Sequence, residues 1–153
     1  MLSTLSHLEC MRFFHNQRIT KLWNMTHNKS LKVLVIEDFT RLHDLTGIHT
    51  APCLEYLDIG NAVWDKAVID SFQCLRNTHL KYLKFSGKTI IEKDMSFLEE
   101  MPCLEVFDFA SNFLTTKQVA WTTAHFPTLK GYCLKPVIDF KDEVLIVGKR
   151  KPM

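Results

Sequence analysis

A six-residue pattern of apolar and variable positions recurs six times along the chain, in the form L-x-x-Φ-x-Φ, where Φ is an apolar residue. The copies are LECMRF, LKVLVI, LEYLDI, LKYLKF, LEVFDF and LKGYCL, starting at Leu8, Leu31, Leu54, Leu80, Leu104 and Leu129. Successive copies start 23 to 26 residues apart. Alternating apolar positions over so short a segment indicate a β-strand with one buried face. The nearly constant spacing indicates a repeat protein.

This period and pattern predict an α/β fold, a leucine-rich repeat solenoid or horseshoe of about six repeats. A parallel β-sheet is expected on its concave face, with helices and irregular turns on the convex face. The first, fourth and sixth positions should form three buried apolar columns, because alternate side chains of a strand point to one side. We assign residues 1–134 to the repeat array and 135–153 to a C-terminal extension that folds back as an edge-covering strand.

The segments that return from one strand to the next are expected to be partly helical. Three helices are predicted: one capped by Thr115 or Thr116 and ending near His125, one capped by Asp65 and ending near Leu75, and one from Glu92 to Met101. Threonine and aspartate favour the N-cap because their side-chain oxygens accept free N–H groups of the first turn. Pro52, Pro102 and Pro127 each stand two residues before a copy, where proline ends a helix and favours an extended chain. Asparagine fills the ninth position only at Asn16 and Asn112, so irregular turns are expected.

The first copy is preceded by only seven residues, too few for the polar unit that usually caps a repeat array. Leu8, Met11 and Phe13 are therefore expected to be exposed at an open end. We expect the chain to be the C-terminal part of a longer array or a truncated relative of one. The open repeat is expected to pair with another domain or to self-associate.

Composition and charge exclude several classes of protein. With 46% hydrophobic and 24% charged residues, the 153-residue chain has the composition of an ordinary folded protein. Its net charge of +2 comes from acidic and basic residues mixed along the chain, which argues against a nucleic-acid-binding stripe. Neither a membrane-spanning apolar run nor a secretory signal is recognisable. We therefore expect neither nucleic acid nor membrane as a partner.

The five cysteines contain no C-x-x-C pair, which favours reduced thiols over disulfides or a zinc site. The expected location is the cytoplasm, or the nucleus if the basic tail at 148–152 acts as an import signal. Ser86-Gly87-Lys88-Thr89 lacks the earlier glycine of a phosphate-binding loop, since that position is Tyr82. The histidines lack metal-ligand spacing, and no nucleophile motif is present. We predict a protein that is not an enzyme, with no catalytic residues, no cofactor and no metal.

The second position of the six copies alternates in charge. Its residues are Glu9, Lys32, Glu55, Lys81, Glu105 and Lys130. Equal positions of neighbouring strands lie about 4.8 Å apart, so each charge has opposite charges on both sides. Such a row fits a self-neutralising ladder that fixes strand register, and it also fits a charged recognition surface.

The third and fifth positions supply the candidate binding residues. Tyr56 and Tyr82 share the third position of neighbouring copies, and Asp58, Lys84 and Asp108 share the fifth. Aromatic residues among charges are typical anchors of protein interfaces. Tyrosine also suits a half-buried strand for structural reasons alone. The functional interpretation predicts a protein-binding site on the concave face made by these five residues.

The phrases MPCLEVFDFASNFLTT and HFPTLKGY resemble the leucine-rich repeat region of plant intracellular nucleotide-binding immune receptors, the disease-resistance-like proteins. This resemblance implies defence-related recognition of a protein partner, or autoinhibition of a nucleotide-switch domain. The chain departs from the full receptors because it has no nucleotide-binding module. The alternative is the repeat domain of an F-box-type ubiquitin-ligase substrate receptor, or a general intracellular scaffold. The F-box alternative would require a helical F-box segment that these residues lack.

Overall fold

Five short strands form one parallel β-sheet, and they coincide with the first five copies of the repeated pattern. The computed structural model describes residues 2–60, 67–110 and 113–134, together with the backbone of 136–139 and 144–147. The strands are β1 (Cys10–Phe14), β2 (Val33–Glu37), β3 (Tyr56–Ile59), β4 (Val68–Ile69), β5 (Tyr82–Phe85), β6 (Thr89–Ile90) and β7 (Val106–Phe109). The sheet has the order β1-β2-β3-β5-β7, and β4 pairs separately with β6. The predicted α/β class and parallel sheet are confirmed.

Equal positions of the pattern lie opposite each other across the sheet. At the fourth position, for example, Leu34 is paired with Leu57, and Leu57 with Leu83. The fourth-position side chains of all five strands are at most 5% exposed, and the sixth-position side chains are buried from β2 to β7. These two predicted columns are therefore confirmed for the central strands. Burying such side chains is the main favourable contribution to folding.

The sixth copy, LKGYCL, does not form the predicted strand. In the described part of the chain, this copy touches the sheet through a bridge between Lys130 and Val106, and a 3-10 helix follows over Tyr132–Leu134. Gly131 passes so close to β7 that an added Cβ would lie 2.3 Å from the carbonyl oxygen of Phe107. The chain turns away there, which leaves Tyr132 53% exposed instead of buried.

The predicted helix at the end of the array is confirmed. Helix α1 spans Thr116–His125, and Thr115 is its N-cap. The Thr115 Oγ1 accepts the backbone N–H of Gln118 at 3.2 Å, and the Gln118 Oε1 accepts the backbone N–H of Thr115 at 3.0 Å. This reciprocal pair is a capping box, which satisfies two N–H groups that have no partner within the helix.

The other two predicted helices are wrong. Asp65 lies outside the described residues, and after β4 the chain forms a 3-10 helix over Gln73–Leu75. In the third segment a 3-10 helix spans Ser96–Glu100, and Asp94 starts it by accepting the N–H of Ser96 at 2.9 Å. β4 occupies Val68–Ile69, residues that the helix predicted to end near Leu75 would need, so one tight turn remains in that segment. Of the apolar residues whose helical spacing pointed them inward, Val68 is half-buried. The others are buried: Ala67, Phe72, Leu75, Met95, Phe97, Leu98 and Met101.

The expected exposure at the first strand is confirmed for Leu8 and wrong for Met11 and Phe13. Leu8 is 45% exposed, whereas Met11 is 5% exposed and belongs to the continuous apolar cluster. Phe13 is partly buried because Trp23 and Phe39 pack against it, with ring centroids 5.7 and 6.3 Å away. Aromatic side chains of the return segments thus cover much of this end.

Asn16, the ninth-position asparagine of the first copy, stabilises the turn that follows β1. The Asn16 Oδ1 accepts the backbone N–H groups of Arg18 at 2.8 Å and Ile19 at 2.9 Å. Asn112 lies outside the described residues.

The C-terminal extension contains an antiparallel hairpin of β8 (Pro136–Asp139) and β9 (Val144–Val147). In the described part of the chain, these strands pair with each other and form a sheet separate from the five-stranded one. In the described residues, the extension therefore does not add a strand to the edge of the five-stranded sheet, contrary to the expectation. None of the described helices has the length and apolar character needed to cross a membrane.

Candidate protein-binding face

The third- and fifth-position side chains project from one side of the five-stranded sheet, opposite the buried columns. We call this side the tyrosine face. Its third-position row runs across the sheet as Cys10, Val33, Tyr56, Tyr82 and Val106. The local sequence produces this arrangement because the apolar fourth and sixth positions turn inward and leave the alternate positions outward.

Tyr56 and Tyr82 are stacked at the centre of the tyrosine face. They are direct partners in the register of β3 and β5, and their ring centroids lie 4.4 Å apart with an interplanar angle of 7°. Both side chains are partly exposed. The predicted side-by-side placement is confirmed. The pair presents a rigid aromatic surface whose conformational freedom is already restricted before any partner binds.

Asp58 and Lys84 form an ion pair next to the stacked rings. The Lys84 Nζ lies 2.8 Å from the Asp58 Oδ2, and Asp58 is only 7% exposed. Burial alone would lower the pKa of Lys84, but the hydrogen bond and charge of Asp58 raise it above its ordinary value. The Asp58 Oδ1 is buried and has no hydrogen-bond partner among the described residues. A buried carboxylate oxygen without a donor is destabilising, so this pair is not optimised for stability alone.

Asp108 is held by two neutral donors on the other side of the tyrosines. The Tyr82 hydroxyl donates to the Asp108 Oδ2 at 2.8 Å, and the backbone N–H of Tyr132 donates to the Asp108 Oδ1 at 2.8 Å. Burial and this hydrogen bond to Asp108 raise the pKa of Tyr82 well above its usual range. The structure therefore brings all five predicted site residues together on one face.

Two neighbouring pairs of the alternating second-position row form ion pairs in the described residues. Lys32 Nζ lies 3.5 Å from Glu9 Oε2, and Lys81 Nζ lies 3.0 Å from Glu55 Oε2. The hydrogen bond and charge of Glu55 raise the pKa of Lys81. These contacts agree with the self-neutralising ladder. Exposed pairs of this kind add little to stability because water and salt screen them.

Three residues near the site were not predicted from the sequence. Arg12 pairs with Glu37 across β1 and β2 at 2.6 Å, and Tyr132 joins the site through its backbone. The Arg12–Glu37 contact links a fifth position to a seventh position, so a comparison of equal positions does not find it. Tyr132 was missed because the pattern placed it in the buried fourth-position column.

The described residues contain no group of three or more His, Cys, Asp or Glu side chains arranged to hold a metal ion. Cys74 and Cys133 are shielded thiols, since burial raises the pKa of Cys74 to about 11 and that of Cys133 above its ordinary value. Comparison with protein-family models, with curated proteins and with solved structures gives no significant match.

Proposed function

We propose that the chain is a non-catalytic protein-binding module, a leucine-rich repeat solenoid whose concave surface is the tyrosine face. The observation that carries this proposal is the stacked Tyr56–Tyr82 pair, which is flanked on the same face by Asp58, Lys84 and Asp108. Stacked aromatic rings with oriented charges beside them match the usual anchors of protein interfaces.

The in-register parallel strands support the repeat architecture. The pairing Tyr56↔Tyr82 joins residues 26 apart, and the fourth positions stack in the same order from β1 to β7. A repeat array of this kind uses its sheet as an extended recognition surface. The resemblance to plant immune-receptor repeats supports defence-related recognition of a protein, with autoinhibition of a switch domain as one form of it.

The experiment is selection of a random peptide display library against the chain, followed by affinity measurement on variants. The double variant Tyr56→Ser/Tyr82→Ser removes both rings from the tyrosine face. Selected peptides are expected to lose about tenfold or more in affinity, as for a central interface anchor. Ile91→Ser is the matched control, because Ile91 is 68% exposed and follows β6 outside the five-stranded sheet.

Peptides that bind the double variant as tightly as the unchanged chain would contradict the proposal. Loss of affinity on Ile91→Ser alone would place binding on a different surface. Circular dichroism of each variant verifies that the fold is retained before the affinities are compared.

A further inference from the structure

The strand register indicates a notch on the tyrosine face beside Tyr82, on the side of β7. Val106 is the direct partner of Tyr82, and Asp108 stands two residues further along β7 on the same face. Tyr56 covers the face of the Tyr82 ring that points toward β3. Valine is much shorter than tyrosine, so we expect Val106 to leave part of the ring face of Tyr82 on the β7 side uncovered. Beyond β7, Lys130 bridges to Val106 and the next residue is Gly131, which adds no side chain.

The fifth-position row beside the notch has two carboxylates, Asp58 and Asp108, and one ammonium, that of Lys84. Lys84 lies opposite Asp108 in the strand register, but its Nζ bonds to Asp58 at 2.8 Å. On the tyrosine face, Asp58 is paired with Lys84 and Glu37 with Arg12. The hydrogen-bond donors to Asp108 among the described residues are both neutral, the Tyr82 hydroxyl and the Tyr132 N–H. A carboxylate offers about four acceptor positions, so two of those on Asp108 remain for a ligand.

We infer that the notch binds the guanidinium group of an arginine on an extended segment of a partner protein. The guanidinium plane stacks on the free face of Tyr82 above Val106, while its N–H groups donate to Asp108. Arginine fits better than lysine because its planar group both stacks on an aromatic ring and donates through several N–H groups. Glu105 precedes Val106 in the sequence and Lys130 bridges to Val106, and these two residues have opposite charges. This inference rests on the proposed function and names the chemistry that the same face selects.

The test uses synthetic dodecapeptide pools, acetylated and amidated at their ends, with random residues around one fixed central position. The fixed residue is arginine, lysine, citrulline, glutamate or leucine, and binding to the full chain is measured by fluorescence anisotropy. Citrulline keeps the planar shape of arginine without its charge. We expect the arginine pool to bind about tenfold more tightly than the citrulline pool.

Two substitutions assign the effect to the notch. Asp108→Asn removes the charge while its amide can still accept from Tyr132 N–H and donate to the Tyr82 oxygen, so the fold is kept. It should lower the affinity of the arginine pool about tenfold and leave the citrulline pool unchanged. Asp70→Asn is the matched control, an exposed carboxylate that pairs with His43 at 2.7 Å outside the five-stranded sheet.

The possible results distinguish failure of this inference from failure of the proposed function. An arginine pool that binds no better than the lysine or citrulline pool overturns the inference, as does an unchanged affinity on Asp108→Asn. If the glutamate or leucine pool binds best and Tyr56→Ser/Tyr82→Ser abolishes that binding, the inference fails while the proposed function stands. If no pool shows binding that depends on the tyrosines, both fail.

Discussion

Tyr82 connects the separate features of the site. Its ring stacks on Tyr56, its hydroxyl donates to Asp108, and its free face forms one wall of the notch. A single side chain thus fixes the position of an aromatic surface relative to a carboxylate. Preorganisation of this kind reduces the entropy lost when a partner binds.

The raised pKa of Tyr82 makes the stability of the chain depend on pH in the alkaline range. The folded state holds the phenol proton more tightly than the unfolded state, whose tyrosine pKa is about 10. This contribution to the free energy of unfolding is complete below that pH and is lost as pH rises through the higher folded pKa.

Urea unfolding from about pH 9 to about pH 11 should therefore show a falling free energy of unfolding that Tyr82→Phe makes shallower. Tyr132→Phe serves as the control, because the Tyr132 side chain is 53% exposed. An identical pH dependence in Tyr82→Phe and the unchanged chain would mean that the hydroxyl is not held as described.

The position of the tyrosines could be predicted at the residue scale, but the bond from Tyr82 to Asp108 could not. Equal positions in neighbouring copies place Tyr56 beside Tyr82 by strand pairing alone. The direction in which the hydroxyl of Tyr82 points depends on side-chain rotation, and the pattern carries no information about it.

At the scale of elements, the sharpest prediction concerns Gly131, where the sixth copy leaves the sheet. A methyl group there would meet the Phe107 carbonyl oxygen at 2.3 Å and the Leu134 Cδ1 at 3.2 Å. Because the nearer contact is backbone, it cannot be relieved by side-chain rotation. Gly131→Ala should lower the free energy of unfolding by about 2 kcal/mol or more.

The measurement is urea denaturation, with Lys130→Ala as the neighbouring exposed control. That control should change stability by no more than about 0.5 kcal/mol. A Gly131→Ala variant as stable as the control would contradict the close approach of Gly131 to the Phe107 carbonyl group.

The N-cap of α1 provides a second test at the element scale. Thr115→Ala removes the acceptor for the Gln118 N–H and should cost about 1 kcal/mol. Thr128→Ala is the matched control, since Thr128 is exposed and lies after the helix. Equal stabilities of the two variants in urea would contradict the capping box.

Helix α1 could be predicted because its cap and its inward residues lie within one continuous segment. The helix predicted to end near Leu75 is absent because β4 pairs with β6, a contact between residues 21 apart in the register Val68↔Thr89. This pairing does not account for the 3-10 helix over Ser96–Glu100, which lies after β6. Local propensity does not contain that pairing, so the sequence identified the buried residues there but not their backbone conformation.

At the scale of the whole molecule, the proposed repeat array predicts that a destabilising core substitution affects mainly the strands next to it. Leu57 is fully buried between Leu34 and Leu83, and Leu57→Ala should cost about 2–5 kcal/mol. In an array whose units contact mainly their neighbours, amide hydrogen exchange should accelerate most in β2, β3 and β5 and least in α1. Uniform acceleration through all described elements would instead indicate one undivided cooperative unit.

Strand order and register could be predicted because the repeated pattern specifies which residues are opposite each other. The end of the five-stranded sheet could not be predicted, since it depends on Gly131 and on a C-terminal hairpin whose strands pair with each other.

The most direct test of the central claim is a map of amide chemical-shift changes when a display-selected peptide is added to isotopically labelled chain. If the peptide binds the tyrosine face, the largest chemical-shift changes are expected at the amides of Tyr56, Asp58, Tyr82, Lys84, Val106 and Asp108. Changes that cluster on α1 or on the 3-10 helices, with these six amides unmoved, would contradict it.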